Sequence, residues 1–348
     1  MMRKVLIILM MGVMLMGCSD DSEQQGGVVG EPLQLSAVTR SSSDIVAAKD
    51  SLSPIQIFLM SGLQKTEGNF VYNSTSEKWV STIGVKEDDN YIFGFSPSSA
   101  AAGTIRPIAS GATNYSGGAV MTLSNLKAVG GEDLCVVVGV KYGTTPITDV
   151  PSFGAFALQK QDGTNYVSLL LDHLFAAIQF NIKIGTKYSE LRNIFLKKME
   201  LQSLQGVSQA VVTLTANGDG TNPITNVSYT TYTPTAEEGP QANTVYDYGT
   251  DQTNTTGLPL KVGGTKFVSY CAPITGIDKQ LKIVCTYDVY NKKGTKVREN
   301  CVAENDLSGL KDVTIARGKK VVVNLTVEPT YLYQLSEDEL DNPTIKSE

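Results

Sequence analysis

The sequence holds one histidine, His173, in 348 residues. A histidine-paired nucleophile or a multi-histidine metal centre would have to be built around that residue alone. The five cysteines include no Cys-x-x-Cys pair, so a zinc site is not expected. No Asp-x-Asp-x-Asp-Gly calcium loop occurs, and Glu87-Asp88-Asp89 reads as a turn between strands. Gly117-Gly118 and Gly130-Gly131 lack the following Lys-Ser/Thr of a phosphate loop. No pair of carboxylates flanking a cleft can be read from the pattern. These absences point away from an enzyme and predict no catalytic residues, no cofactor and no metal. A single tryptophan, Trp79, sits in a strand-like context that suggests burial. Beyond residue 17 no apolar run is long enough to cross a membrane as a helix. The net charge of −6 argues against nucleic acid as a partner.

The apolar exception is the N-terminus. Arg3 and Lys4 precede an almost wholly apolar stretch from Val5 to Met16, which ends in Leu15-Met16-Gly17-Cys18. A basic flank, a short apolar run and small residues at the cut describe a secretory signal over residues 1–17. The Leu-x-Gly-Cys ending resembles the lipobox of bacterial lipoproteins, which makes Cys18 the lipidated residue and the lipid its one link to a membrane. Losing Arg3 and Lys4 with the signal takes the net charge from −6 to −8 and leaves 331 residues, enough for two domains. Residues 18–31 read as a tether. Its acidic start, Ser19-Asp-Asp-Ser-Glu23, resembles a surface-export signal. The expected location is the outer face of the outer membrane.

From there to residue 330 the chain reads as short strands separated by Gly, Asn, Asp, Ser and Thr. Tyr91/Phe93/Phe95 and Ile178/Phe180/Ile182/Ile184 each give one consistently apolar face. The other face of each is expected to be partly wet. Ser189 to Lys198 is the best short helical stretch and alternatively runs into a strand. Many strands and few helices predict an all-β chain of two tandem β-sandwich domains, residues 32–165 and 166–330. Residues 216–265 are read as loops and edge strands. A tail, residues 331–348, follows. Four cysteines remain after Cys18, namely Cys135, Cys271, Cys285 and Cys301. An even count in an exported chain invites disulfides. A hairpin of 266–272 with 280–290 would instead set Cys271 opposite Ile283, and the cysteines read better as small buried apolar residues.

Several segments stand in a familiar order: Thr39-Arg40 after a short strand, Trp79, Tyr91-Ile-Phe-Gly-Phe95, Asp133-Leu-Cys-Val136, His173-Leu-Phe-Ala-Ala177 and Ile315-Ala-Arg-Gly-Lys319. Behind a lipobox, this order resembles the fimbrillin (Mfa-like, type V pilin) family of outer-membrane lipoproteins. The resemblance implies transthyretin-like sandwiches, with Trp79, Phe93, Phe95 and His173 in structural motifs. It also implies a trypsin-like protease that cuts after a basic residue and removes the lipid with a first strand. A strand of another fimbrial subunit then fills the groove. Arg40, followed by Ser41, matches the cutting site, and Leu33, Leu35 and Ala37 match the removable strand. The bland reading of Arg40 is a polar residue that ends the first strand.

A stalk subunit also needs a C-terminal donor strand. Tyr331, Tyr333 and Leu335 give only three alternating apolar positions, a weak donor candidate, so stalk, tip and anchor roles stay open. The receptor is not legible. The competing function is a surface glycan-binding lipoprotein of a nutrient-uptake system, which would use exposed aromatics.

Overall fold

The computed structural model describes residues 34–39, 52–81, 83, 90–142, 157–158, 166–216, 223–250, 256–307, 310, 313–329 and 343–347. The first half carries β1 (Gln34–Thr39), β2 (Ile55–Ser61), β3 (Gln64–Asn73), β4 (Lys78–Val80), β5 (Asn90–Ser96), β6 (Ala102–Pro107), β7 (Gly118–Ser124), β8 (Val129–Gly130), β9 (Cys135–Tyr142), β10 (Ala157–Leu158) and β11 (Tyr166–His173). The second half carries β12 (Ala176–Ile184), a short helix α1 (Thr186–Leu191), β13 (Arg192–Ser203), β14 (Gly206–Thr215), β15 (Ile224–Tyr232) and β16 (Gln241–Asp247). It closes with β17 (Leu258–Pro259), β18 (Thr265–Cys271), β19 (Leu281–Asn291), β20 (Lys296–Asn305), β21 (Lys320–Pro329) and β22 (Pro343–Ser347). The chain is all-β, as the alternation of apolar residues predicts. The Ser189–Lys198 stretch splits: α1 ends at Leu191 and β13 takes over, with Ile194, Leu196, Met199 and Leu201 turned inward.

The strands form four sheets. The largest has eight strands in the order β1-β11-β9-β5-β2-β3-β4, with β10 beside β5. A four-stranded sheet runs β15-β14-β7-β6. Two five-stranded sheets run β22-β21-β12-β18-β8 and β16-β13-β19-β20, the second with β17 beside β13. The expected boundary at residue 165 does not separate these sheets. β11 pairs with β9 and β1 of the first half. β14 pairs with β7, and β8 pairs with β18. The pattern that restarts at Val167 marks the start of a strand, not of a domain. The expected hairpin of 266–272 with 280–290 is also absent, because β18 pairs with β12 and β8 while β19 pairs with β13 and β20.

The inner strands of the eight-stranded sheet, β2, β5, β9 and β11, are buried on both faces. Phe58, Phe93, Phe95, Val136, Val138 and Leu170 join a large core that also holds Met121, Ile178, Phe180 and Tyr287. The neighbouring positions point the other way. Ile57, Ile92, Cys135, Val137 and Leu169 build a second core with Leu35, Ala37, Phe70 and Trp79. The expectation of a partly wet second face on Tyr91–Phe95 is therefore corrected: Ile92 is wholly buried there. A sheet covered on both sides needs near-continuous apolar runs, which Leu134-Cys-Val-Val-Val138 supplies. Gly94 marks the tightest place, since a Cβ there would collide with the backbone oxygen of Gln56 and the side chain of Ile57.

Candidate functional site

The first strand lies at an edge of this architecture. β1 ends the eight-stranded sheet and, among the described residues, pairs with β11 alone, in parallel, from Gln34↔Tyr166 to Thr39↔Leu171. Period-two alternation turns Leu35 and Ala37 into the second core, at 3% and 1% exposure. Ser36 lies on the opposite face and its hydroxyl meets that of Ser168 at 3.0 Å. β4, the far end of the same sheet, comes close beside β1. Between them lies a cleft of about 590 Å³, lined by Gln34, Leu35, Lys78, Trp79 and Tyr166 among others. Trp79 packs its ring on Tyr72, 5.4 Å between centroids, and is itself buried.

The arrangement can do two things chemically. It holds a short strand by one line of main-chain hydrogen bonds and two apolar side chains. Without that strand it would present an unpaired edge of β11 above an open core, which another extended chain could satisfy. Thr39, the last described residue of β1, precedes Arg40 in the sequence. Cys18, Leu33, Arg40 and Ser41 lie outside the described residues, as do Tyr331, Tyr333, Leu335 and Glu87-Asp88-Asp89. The described tail contributes β22 instead, which runs antiparallel to β21 from Pro329↔Pro343 to Leu325↔Ser347. That strand was not read from the sequence. Pro343-Thr-Ile-Lys-Ser347 has one large apolar residue, too weak a signal for period two.

Phe93 and Phe95 sit in the large core. His173 is a core histidine, but with partners that no spacing rule would have found. It closes β11 directly opposite Cys135, the first residue of β9. Its Nδ1 lies 2.7 Å from Asp133 Oδ2 and 3.4 Å from Cys135 Sγ. Asp133, Cys135 and His173 are all buried. Burial, reinforced by the charges of Asp133 and Asp172 and a hydrogen bond to Asp133, pushes the Cys135 thiol well above its ordinary range. Beside this cluster Arg317 reaches Asp172 Oδ2 at 3.0 Å, and Asp172 Oδ1 accepts the backbone N–H of His173. Residues from 133, 172–173 and 317 thus meet at one end of β9 and β11. In the sequence Asp133, His173 and Arg317 stand in three separate motifs, and Asp172 in none of them.

The other cysteines behave as small apolar residues. Cys271 pairs across to Ala176 and Val129, and Cys285 to Met199 and Ala303. Burial raises both thiols to about 12. Cys135, Cys271, Cys285 and Cys301 are free of disulfides.

No family model matches the chain, and no curated protein matches it. Solved structures do. A candidate cell adhesion protein from Bacteroides uniformis is 12% identical, with 91% of this chain and 96% of that one covered at a TM-score of 0.39. A fimbrial protein from Bacteroides vulgatus is 13% identical over 91% and 98%, at 0.37. The fimbrial anchor protein Mfa2 from Porphyromonas gingivalis is 12% identical over 91% and 96%, at 0.28. Identities this low and scores below 0.5 describe a loose likeness, and they carry no function across to this chain.

Proposed function

We propose that the chain is a fimbrial subunit of the fimbrillin type. It is exported as a lipoprotein on Cys18, displayed at the outer membrane, and assembled when a trypsin-like protease cuts after Arg40 and another subunit's strand replaces β1. The observation that carries this reading is β1 itself. It is an edge strand, bonded to one neighbour among the described residues, that plugs a core with Leu35 and Ala37, and its last described residue, Thr39, precedes Arg40 in the sequence. The lipobox and the motif order supply the rest. A donated strand would restore the hydrogen bonds and the apolar burial together, which makes a long-lived joint. Burial of Trp79 removes the aromatic platform on which a glycan-binding reading would lean.

Low-dose trypsin on the purified precursor tests the reading. The expected result is a cut after Arg40, a resistant core that begins at Ser41, and oligomers that survive SDS. A chain cut there that stays monomeric, alone and with other subunits present, contradicts strand exchange at this groove.

A further inference from the structure

The cluster at the end of β9 and β11 fits more than a buried ion pair. Asp133 and Cys135 are two residues apart on one face of the chain, and His173 stands across the ladder from Cys135. One ligand atom from each lies within 4.8 Å of the others. All three are buried, and Asp133 Oδ1 and His173 Nε2 have no hydrogen-bond partner among the described residues. A buried acceptor left unpaired is costly, so Asp133 Oδ1 calls for an explanation.

We propose that Asp133, Cys135 and His173 form a binding site for one divalent transition-metal ion of zinc-like softness. A thiolate, an imidazole and a carboxylate are the donors such an ion takes. The 3.4 Å between Cys135 Sγ and His173 Nδ1 is close to a tetrahedral edge, given metal–sulfur and metal–nitrogen bonds of about 2.3 and 2.0 Å. The 2.7 Å between Nδ1 and Asp133 Oδ2 has to open by roughly 0.6 Å to reach a tetrahedral edge. The second carboxylate oxygen, Oδ1, supplies a fourth ligand atom. Charge and protons balance. The Cys135 thiol proton leaves to solvent, and the imidazole proton moves from Nδ1 to Nε2. Carboxylate and thiolate then cancel the two positive charges of the ion. Arg317 already neutralises the adjacent Asp172. Because the site is closed, the ion is taken up as the chain folds. The expectation of no metal rested on Cys-x-x-Cys spacing and a lone histidine; here the fold brings together ligands 38 residues apart.

The chain from Cys18 onward, without a polyhistidine tag, is refolded with Zn²⁺ or Co²⁺ and desalted. The expected result is about one metal ion per chain, a thiolate-to-cobalt charge-transfer band in the Co²⁺ form, and a higher Tm with Zn²⁺. Cys135→Ala and His173→Gln abolish the band, whereas Cys271→Ala and Cys285→Ala keep it. Substoichiometric metal with no cobalt band in the unaltered chain overturns the proposal. So does a band that survives Cys135→Ala or is lost in Cys285→Ala. If Cys135→Ala does not fold, the stoichiometry of the unaltered chain and the Cys285→Ala control still decide.

Discussion

At the scale of single residues, the groove is defined by size. Leu35 and Ala37 are both buried in it. Leu35→Ala is expected to lower unfolding stability by about 2–5 kcal/mol, as for other buried leucines. Ala37→Leu overpacks the site and costs about 1–3 kcal/mol. Urea denaturation of the uncut chain measures both, and an effect under about 0.5 kcal/mol at either position would deny that β1 is seated. Asp288 offers a different residue-scale test. It is buried, accepts the backbone N–H of Asn300 at 2.8 Å and meets Lys296 at 2.9 Å and Lys197 at 3.7 Å. Burial works to raise its carboxyl, but the bonds from Lys296 and Asn300 and the charge of Lys197 outweigh it and leave it below its ordinary value. A depressed folded-state value contributes stability that is present above the unfolded value, about 3.9, and is lost as pH falls through the folded one. The Tm gap between the native chain and Asp288→Asn should therefore be full at pH 6 and shrink below about pH 4. A gap that widens on acidification contradicts the pairing.

At the scale of elements, the contrast is between β1 and the strands at the sheet's middle. β5 and β2 have neighbours on both sides and side chains in both cores. β1 has one neighbour and turns its buried side chains into one core. Local opening should follow that difference. Amide hydrogen exchange is expected to be fast in Gln34–Thr39 and slow in Ile92–Phe95, by orders of magnitude. Equal protection would mean that β1 leaves only with global unfolding. This scale also shows what the sequence could and could not convey. The strands at 91–95 and 177–184 were legible because apolar residues alternate over five or more positions. The edge strands β15 and β16 were legible as polar segments with turn signals. Partners were not. Period two says which way a side chain points but not which strand lies beside it, so the boundary near 165 and the 266–290 hairpin both misread neighbours. The His173 cluster was hidden for the same reason, since Asp133 and Cys135 reach it only through the β9–β11 register.

At the scale of the molecule, the proposed function makes the lipid on Cys18 and the first strand one unit. Cys18, the tether and β1 precede Arg40, so a single cut would release all three. Under the proposed function the lipid is an export device rather than a permanent anchor. A subunit that keeps β1 keeps its lipid and its closed groove, and one that loses β1 gains a docking edge. The most direct measurement is the N-terminus of this chain in filaments purified from cells, read by intact-mass and N-terminal peptide analysis. The account predicts an unmodified Ser41. Filament-borne chains that begin at an acylated Cys18 with β1 intact would contradict it.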